Sequence, residues 1–228
     1  MTTSPTSAGE FAYDLVVFDW DGTLMDTTGL IARGIQHAAR VMGFTPPSLA
    51  LAQSTIGLDW REALRIAVPE CPPSEHLRFN EIYRQWYIPN EKTVFLYEGI
   101  RELLTELKVA GVQIAVATGK SRLGLNRVLA ATGLETVFDS TKTADETASK
   151  PQPDMLEWIG IETGVAPERT VMVGDSVFDI VMANRYGCDA IAMLYGAGDA
   201  QTLRQHRVRY FCHDVAQLRQ ALYAEKRT

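Results

Sequence analysis

The residues best suited to chemistry lie in the stretch VVFDWDGTL, residues 16–24, where an apolar run ends in two carboxylates, Asp19 and Asp21. The run Leu15–Phe18 is typical of a buried parallel strand, and open α/β sheets bind their ligands at the carboxyl ends of such strands. Because alternate residues of an extended strand point the same way, Asp19 and Asp21 are expected to face one site. Two carboxylates so close repel each other unless a cation lies between them or one is protonated. An ordinary turn would explain Asp21 and Gly22, but not the second carboxylate.

Polar residues also follow two later apolar runs, at 112–117 and 170–173. If the strands are parallel, one edge of the sheet gathers six polar residues: Asp19, Asp21, Thr118, Lys150, Asp175 and Asp179. Clustered carboxylates suit Mg²⁺, while a hydroxyl and an ammonium group suit the oxygens of a phosphoryl group. For single residues a structural role stays open, since Ser176 is a good helix N-cap and Asp179 would complement a helix dipole.

The pattern around these residues predicts an α/β fold, a doubly wound parallel sheet with a second, all-helical unit inserted after the first strand. Residues 11–26 and 97–228 would form the core, and residues 27–96, which contain no strand-like run, would form a small helical cap. Residues 1–10 would be a flexible tail. Within the core, a short strand is expected at Val137–Ser140, and the chain closes with a strand at 210–211 and a helix at 215–223.

Composition bounds the partners. The chain has 228 residues, is 46% hydrophobic and carries a formal net charge of −6, which argues against nucleic acid or an anionic membrane as the main partner. No apolar run approaches the roughly 18 residues that span a bilayer. Three scattered cysteines without metal-site spacing, and no secretion signal, predict a cytoplasmic protein with reduced thiols.

Four motifs carry a resemblance to a known family. They are, in chain order, residues 19–24 (DWDGTL), 117–119 (ATG), 150–154 (KPQPD) and 174–179 (GDSVFD). In order and spacing they resemble those of the haloacid dehalogenase superfamily, in the subfamily whose helical cap follows the first strand, and most closely the phosphoglycolate phosphatase group. The resemblance implies the corresponding fold, with a Rossmann-like core, and a Mg²⁺-dependent phosphatase that acts on a small phosphate ester.

Carried over to this sequence, the family mechanism makes Asp19 the nucleophile that forms an aspartyl-phosphate, and Asp21 the acid and then the base. The resemblance further implies that Thr118, Gly119 and Lys150 bind the phosphoryl group. It assigns the magnesium ion to Asp19, the Asp21 backbone carbonyl, Asp175 and Asp179.

The cap is expected to supply substrate contacts. Arg61 is the first candidate, because it could pair with a carboxylate or second phosphate of the leaving group. Weaker candidates of the same kind are Arg65, His76, Arg84 and Lys120. Three aromatic residues are interpreted as packing residues rather than substrate contacts: Trp60, Trp86 and Tyr87.

Other functions stay open at this stage. A sugar phosphomutase would use the same carboxylate pair, and a pyrophosphatase or nucleotidase is a more distant alternative. A phospho-accepting signalling domain also arranges Asp, Thr and Lys around Mg²⁺, but the inserted helices and Asp21 favour the enzyme. The expected partner is a small-molecule phosphate ester, and the expected assembly is a monomer or small homo-oligomer.

Overall fold

The computed structural model describes residues 11–223, so the tail predicted for residues 1–10 lies outside the described range. Its strands are β1 Leu15–Phe18, β2 Gln113–Thr118, β3 Ser140–Thr143, β4 Thr170–Gly174, β5 Asp189–Met193 and β6 Tyr210–Cys212. Its helices are α1 Thr28–Met42, α2 Leu49–Gln53, α3 Trp60–Ala67, α4 His76–Glu91, α5 Ile100–Val109, α6 Arg122–Thr132, α7 Asp154–Thr163, α8 Val177–Tyr186, α9 Ala200–Leu203 and α10 Val215–Tyr223.

The six strands form one parallel sheet in the order β3-β2-β1-β4-β5-β6. Strand β1 lies between β2 and β4, with Val17 beside Ala115 on one side and Met172 on the other. The chain therefore leaves β1 towards one edge and later returns to its other side. This reversal creates the crevice at which open α/β sheets bind ligands.

Alternation along β1 buries both faces of the sheet. Val16 and Phe18 pack in one apolar cluster with residues of α5, α6 and α10, whereas Leu15 and Val17 pack in a second with α7, α8 and α9. Since successive side chains of a strand point to opposite faces, helices cover both sides. The prediction of a doubly wound parallel sheet is confirmed.

Helices α1–α4, here called the helical insert, form a third apolar cluster that includes Ala38, Leu64 and Phe79. The two chain segments that join the insert to the sheet lie side by side. Met25 and Leu96 form an antiparallel bridge, flanked by hydrogen bonds of 3.0 Å from Asp26 N–H to the Phe95 carbonyl and from Tyr97 N–H to the Leu24 carbonyl. The exact division into core 11–26 and 97–228 and cap 27–96 stays a prediction.

One strand lies elsewhere than predicted. The expected strand at Val137–Ser140 is instead β3, Ser140–Thr143, whose sequence STKT pairs with β2 at the sheet edge. Val137 and Phe138 precede the strand and pack, partly buried, against the first apolar cluster. Because an edge strand needs little apolar character, the apolar pair misled the prediction.

Candidate active site

The six polar residues predicted at one sheet edge are all buried in the structure: Asp19, Asp21, Thr118, Lys150, Asp175 and Asp179. They come from the carboxyl ends of the strands β2, β1 and β4, from the loop before α7 and, for Asp179, from the first turn of α8. The side chains of Asp19, Lys150 and Asp179 are in direct contact. Asp21 lines the same cavity as Asp19, and so does Gly119, the residue that follows Thr118.

Lys150 joins two of the carboxylates. Its side chain has no solvent exposure, and its Nζ donates hydrogen bonds of 2.6 Å to Oδ1 of Asp19 and 2.6 Å to Oδ1 of Asp179. Burial alone would lower the pKa of Lys150, but the two carboxylates outweigh this effect and raise it above its usual value. The lysine is therefore a fixed cation, and it leaves Oδ2 of Asp19 unbonded among the described residues.

Asp175 is held by two donors. Thr23 Oγ1 donates to its Oδ1 at 3.0 Å, and the backbone N–H of Ala197 donates to its Oδ2 at 2.6 Å. Gly22 passes close by with φ +83°, and a Cβ on it would lie 2.3 Å from Oδ2 of Asp175. A glycine is required here both by the left-handed backbone and by the space that the carboxylate occupies.

The side chain of Asp179 both stabilises the start of α8 and contacts Lys150. Ser176 caps α8, and Asp179 completes a capping box, because its Oδ2 accepts hydrogen bonds from Ser176 N–H and Oγ–H. Its other oxygen, Oδ1, accepts from Lys150. The capping interpretation of Ser176 is thus confirmed, and the cap fixes the carboxylate that faces the lysine.

The carboxylates fit a hard divalent cation. Oxygen atoms of Asp19, Asp175 and Asp179 lie within 4.8 Å of one another, all from buried side chains. Three carboxylates against the one ammonium of Lys150 leave an excess of two negative charges. In the polypeptide alone, burial and the neighbouring carboxylate of Asp179 raise the pKa of Asp175 to about 7, and burial raises that of Asp19 well above its usual value despite Lys150. The raised pKa values show that the cluster is short of positive charge, and its donors are all oxygen atoms. Both properties suit Mg²⁺.

Asp21 lies outside this carboxylate cluster and has partners of its own. Its Oδ1 accepts a hydrogen bond of 2.6 Å from Thr27 Oγ1 and pairs with Lys120 Nζ at 2.9 Å. Its Oδ2 has no hydrogen bond among the described residues. Asp19 and Asp21 nevertheless line one cavity, although β1 ends at Phe18 and the extended strand does not continue to Asp21. Lys120, a weak candidate from sequence, is therefore a direct contact of a proposed catalytic carboxylate.

Thr118 ends β2 fully buried, and its Oγ1 accepts a hydrogen bond of 3.2 Å from Lys120 N–H. The hydroxyl proton thus remains for another acceptor. Gly119 follows directly, and a Cβ there would lie 2.9 Å from the carbonyl oxygens of both Gly57 and Leu58. The loop before α3 therefore rests on the end of β2, and a side chain at position 119 would push it away.

The same loop also contacts the end of β4, since a Cβ on Gly57 would lie 3.1 Å from Ser176 Oγ. Between the helical insert and the sheet edge lies a partly open cavity of about 220 Å³, lined by Asp19 and Asp21 among others. A second link between insert and core is the Glu91–Arg127 ion pair, with N–O distances of 2.5 and 3.1 Å. A substrate in this cavity would contact both the sheet edge and the helical insert.

Arg61 is not brought to the cavity, and its predicted contact with the substrate stays a prediction. It is exposed on α3 and does not line the cavity. Asp59 caps α3 by accepting from the N–H groups of Arg61 and Glu62, and the helix buries its other face through Ala63, Leu64 and Ala67. Among the weaker candidates, Arg84 of α4 and Lys120, which follows β2, line the cavity, as do the aromatic residues Trp60 and Tyr87.

Some site residues had no assigned role in the sequence analysis. Thr23 and Thr27 orient Asp175 and Asp21, and both follow the DWDG stretch within six residues. That proximity to the carboxylates was a usable signal. The Glu91–Arg127 pair joins residues 36 positions apart and left no local signal in the sequence.

Comparison with known proteins gives the family of this chain. The family model described as "Haloacid dehalogenase-like hydrolase" matches residues 16–193. Tyrosine-protein kinase PtkA of Mycobacterium tuberculosis is 31% identical over 223 residues, which span 95% of this chain and 75% of PtkA. A phosphoglycolate phosphatase of Vibrio cholerae is 29% identical over 217 residues, 90% of this chain and 94% of that protein.

Among solved structures, a predicted phosphoglycolate phosphatase from Haemophilus somnus superposes with a TM-score of 0.81 at 25% identity, covering 92% of this chain and 98% of that one. A parallel α/β core with carboxylates at its carboxyl edge defines the class. The chain belongs to the haloacid dehalogenase-like hydrolase family, and the resemblance to its phosphoglycolate phosphatase group is confirmed. No helix in the described range is long and apolar enough to cross a membrane.

Proposed function

We propose that this enzyme is a Mg²⁺-dependent phosphatase of a small phosphomonoester and that it works through an aspartyl-phosphate on Asp19. The observation that carries the proposal is the arrangement around Asp19. This carboxylate contacts a buried lysine at 2.6 Å, stands in a cluster of three carboxylates and lines a cavity together with Asp21.

In the first step, Oδ2 of Asp19 would attack the phosphorus atom as the bond to the leaving oxygen breaks. Lys150 fixes Oδ1 of the nucleophile, so the attacking oxygen is oriented before substrate arrives. Buried Thr118 has a hydroxyl proton to donate to a phosphoryl oxygen, and Lys150 supplies positive charge beside it.

Asp21 would transfer the protons. Lys120 and Thr27 hold its Oδ1, which leaves Oδ2 to protonate the departing oxygen. In the second step a water molecule attacks phosphorus, Asp21 takes the proton of that water, and the bond to Asp19 breaks. The products are inorganic phosphate, the alcohol and the free carboxylate of Asp19.

The residues that would hold Mg²⁺ are Asp19, Asp175 and Asp179, with the backbone carbonyl of Asp21. When bound, the ion would shield the carboxylates from the charge of the phosphate and polarise the phosphoryl group. Thr23 and Ser176 keep the carboxylates of Asp175 and Asp179 in place.

The test is phosphate release from a panel of small phosphate esters with Mg²⁺, run on the wild type and Asp19→Asn. The amide is nearly isosteric, so the variant should fold but release no phosphate. Wild-type turnover should also stop on exhaustive chelation and return with Mg²⁺. Phosphate release by Asp19→Asn at the wild-type rate would remove Asp19 as the nucleophile.

A different phosphoryl acceptor is the main alternative. The likeness to PtkA, named a tyrosine-protein kinase, favours a hydroxyl acceptor as the specific second candidate, and a sugar phosphomutase would likewise return the group to a hydroxyl. Either would use Asp19 and Asp21. Free phosphate in stoichiometric amount with the alcohol product identifies water as the acceptor and excludes both.

A further inference from the structure

The cavity has two chemically different ends. Asp19 and Asp21 line one end, and residues of α1, α3 and α4 line the other. If the phosphoryl group reacts at Asp19, the organic part of the ester must extend towards these helices. The residues at the helical end therefore indicate what kind of leaving group the cavity can bind.

The helical end is mainly aliphatic and aromatic, with Thr55 and Asn80 as uncharged polar residues. Its aliphatic residues include Ile31, Ile35 and Ile56. Its aromatic residues form one continuous face, because the ring centroids of Trp60 and Tyr83 lie 4.9 Å apart and those of Tyr83 and Tyr87, nearly parallel, lie 5.2 Å apart. Such a wall favours burial of an apolar ring.

The cations inside the cavity are already paired. Lys120 is bound to Asp21 at 2.9 Å, and Arg127 is bound by both oxygens of Glu91. A substrate carboxylate would have to displace one of these carboxylates or be buried without a cation, and both are costly. Arg84 also lines the cavity but is exposed and lines the adjoining surface groove as well, so it stands at the outer rim.

Size and polarity agree with an apolar ring. An apolar cavity of about 150 Å³ accommodates benzene, so about 220 Å³ leaves room for a ring and the ester linkage. The indole Nε1–H of Trp60 is buried without a hydrogen-bond partner in the described part of the chain. A single uncharged acceptor on the substrate would satisfy it.

Resting on the phosphatase function proposed above, we propose that this enzyme selects phosphomonoesters of apolar, ring-bearing alcohols and does not favour carboxylate-bearing esters such as phosphoglycolate. The selecting residues are the apolar ones of α1, α3 and α4, with Trp60 and Tyr83 as the ring contacts.

The test compares three primary alkyl phosphates: ethyl phosphate, 2-phenylethyl phosphate and phosphoglycolate. All three have an unactivated primary alcohol as leaving group, so differences report mainly on the cavity. We expect kcat/KM for 2-phenylethyl phosphate to exceed that for ethyl phosphate by about 10- to 100-fold, the gain expected from burying a ring. Phosphoglycolate should not exceed ethyl phosphate.

Two exposed apolar residues of α4 provide a matched pair of variants. Ile88 lines the cavity and Leu77 does not. Ile88→Ala should lower kcat/KM for 2-phenylethyl phosphate severalfold, and by a larger factor than for ethyl phosphate, so that the preference for the ring shrinks. Leu77→Ala should change neither.

Binding of the three esters to Asp19→Asn, measured by calorimetry with Mg²⁺, separates this inference from the proposed function. Tightest binding of the phenylethyl ester supports the inference even if the wild type releases no phosphate, a result that would overturn only the phosphatase. Preference for phosphoglycolate by more than tenfold, in binding or turnover, overturns the inference and leaves the phosphatase standing.

Discussion

Replacing Lys150 by methionine tests most directly whether this lysine offsets the charge of the buried carboxylates. The change keeps the length of the side chain and removes its charge. In the wild type the ammonium is fully buried and contacts two carboxylates at 2.6 Å each. Without it, the carboxylates of Asp19, Asp175 and Asp179 stand together with no buried cation to offset them.

Breaking a buried ion pair by removing one partner costs about 3–5 kcal/mol. For a chain of this size, that loss lowers the thermal midpoint by about 6–20 °C. Lys150→Met should therefore melt lower than the wild type by this amount in chelator at pH 8. Mg²⁺ should raise the midpoint of the variant more than that of the wild type, because a more negative cluster binds the cation more tightly. Turnover should fall by about 10²- to 10³-fold, since a charge at the phosphoryl oxygens is lost.

Lys142→Met is the matched control. Lys142 pairs with Glu162, whose side chain is 43% exposed, and surface pairs contribute only about 0–1 kcal/mol. Differential scanning calorimetry on the wild type and both variants, with chelator and with Mg²⁺, gives the comparison. If Lys150→Met in chelator lies within about 1 kcal/mol of Lys142→Met, the claim of an uncompensated buried cluster is refuted.

Three further predictions concern the cluster and the closure over it. In chelator, the thermal midpoint should rise as pH falls from 8 to 6. The pKa of Asp175 is raised to about 7 and that of Asp19 is also raised, so the folded state binds more protons than the unfolded state. The gain in stability is about 1.4 kcal/mol per pH unit for each proton, and saturating Mg²⁺ should remove this pH dependence. A midpoint that falls over this range in chelator would contradict the assignment. Gly119→Ala should displace the loop 55–58, because the Cβ of alanine would lie 2.9 Å from two backbone oxygens of that loop. We expect kcat/KM to fall about tenfold with little change in Mg²⁺ affinity. Unchanged steady-state kinetics would show that the contact is unimportant. Glu91→Gln should lower the free energy of unfolding by about 1–3 kcal/mol in urea denaturation, whereas Glu62→Gln, in an exposed pair, should leave it nearly unchanged. Equal losses would refute a closing role for Glu91.

The core and its carboxylates were predictable because local signals were strong. The buried run before Asp19 and the polar end of the strand before Asp175 identify central strands by composition alone. A parallel sheet then brings their ends together without further information. The helix at Val215–Tyr223 was predicted with its observed bounds, since its apolar spacing is regular.

What the sequence did not reveal depends on tertiary contacts. Strand β3 has the polar sequence STKT, and only its pairing with β2 makes it a strand. Arg61 was placed in the site from its position along the chain, but the direction of a helical side chain depends on how the helix packs. The pairing of Lys120 with Asp21 likewise follows from the fold around β2 and not from a motif.

The bridge between Met25 and Leu96 has a consequence for protein engineering. Because the chain leaves and re-enters the core at adjacent, hydrogen-bonded residues, the segment between them behaves like the loop of a hairpin. Its excision would leave two ends that a short turn such as Asn-Gly can rejoin. A different module could be grafted at the same place without moving Asp19 or Lys150. The core segments would then carry the phosphoryl chemistry and the inserted segment the choice of alcohol. Recombination within the gene could exchange the inserted segment alone.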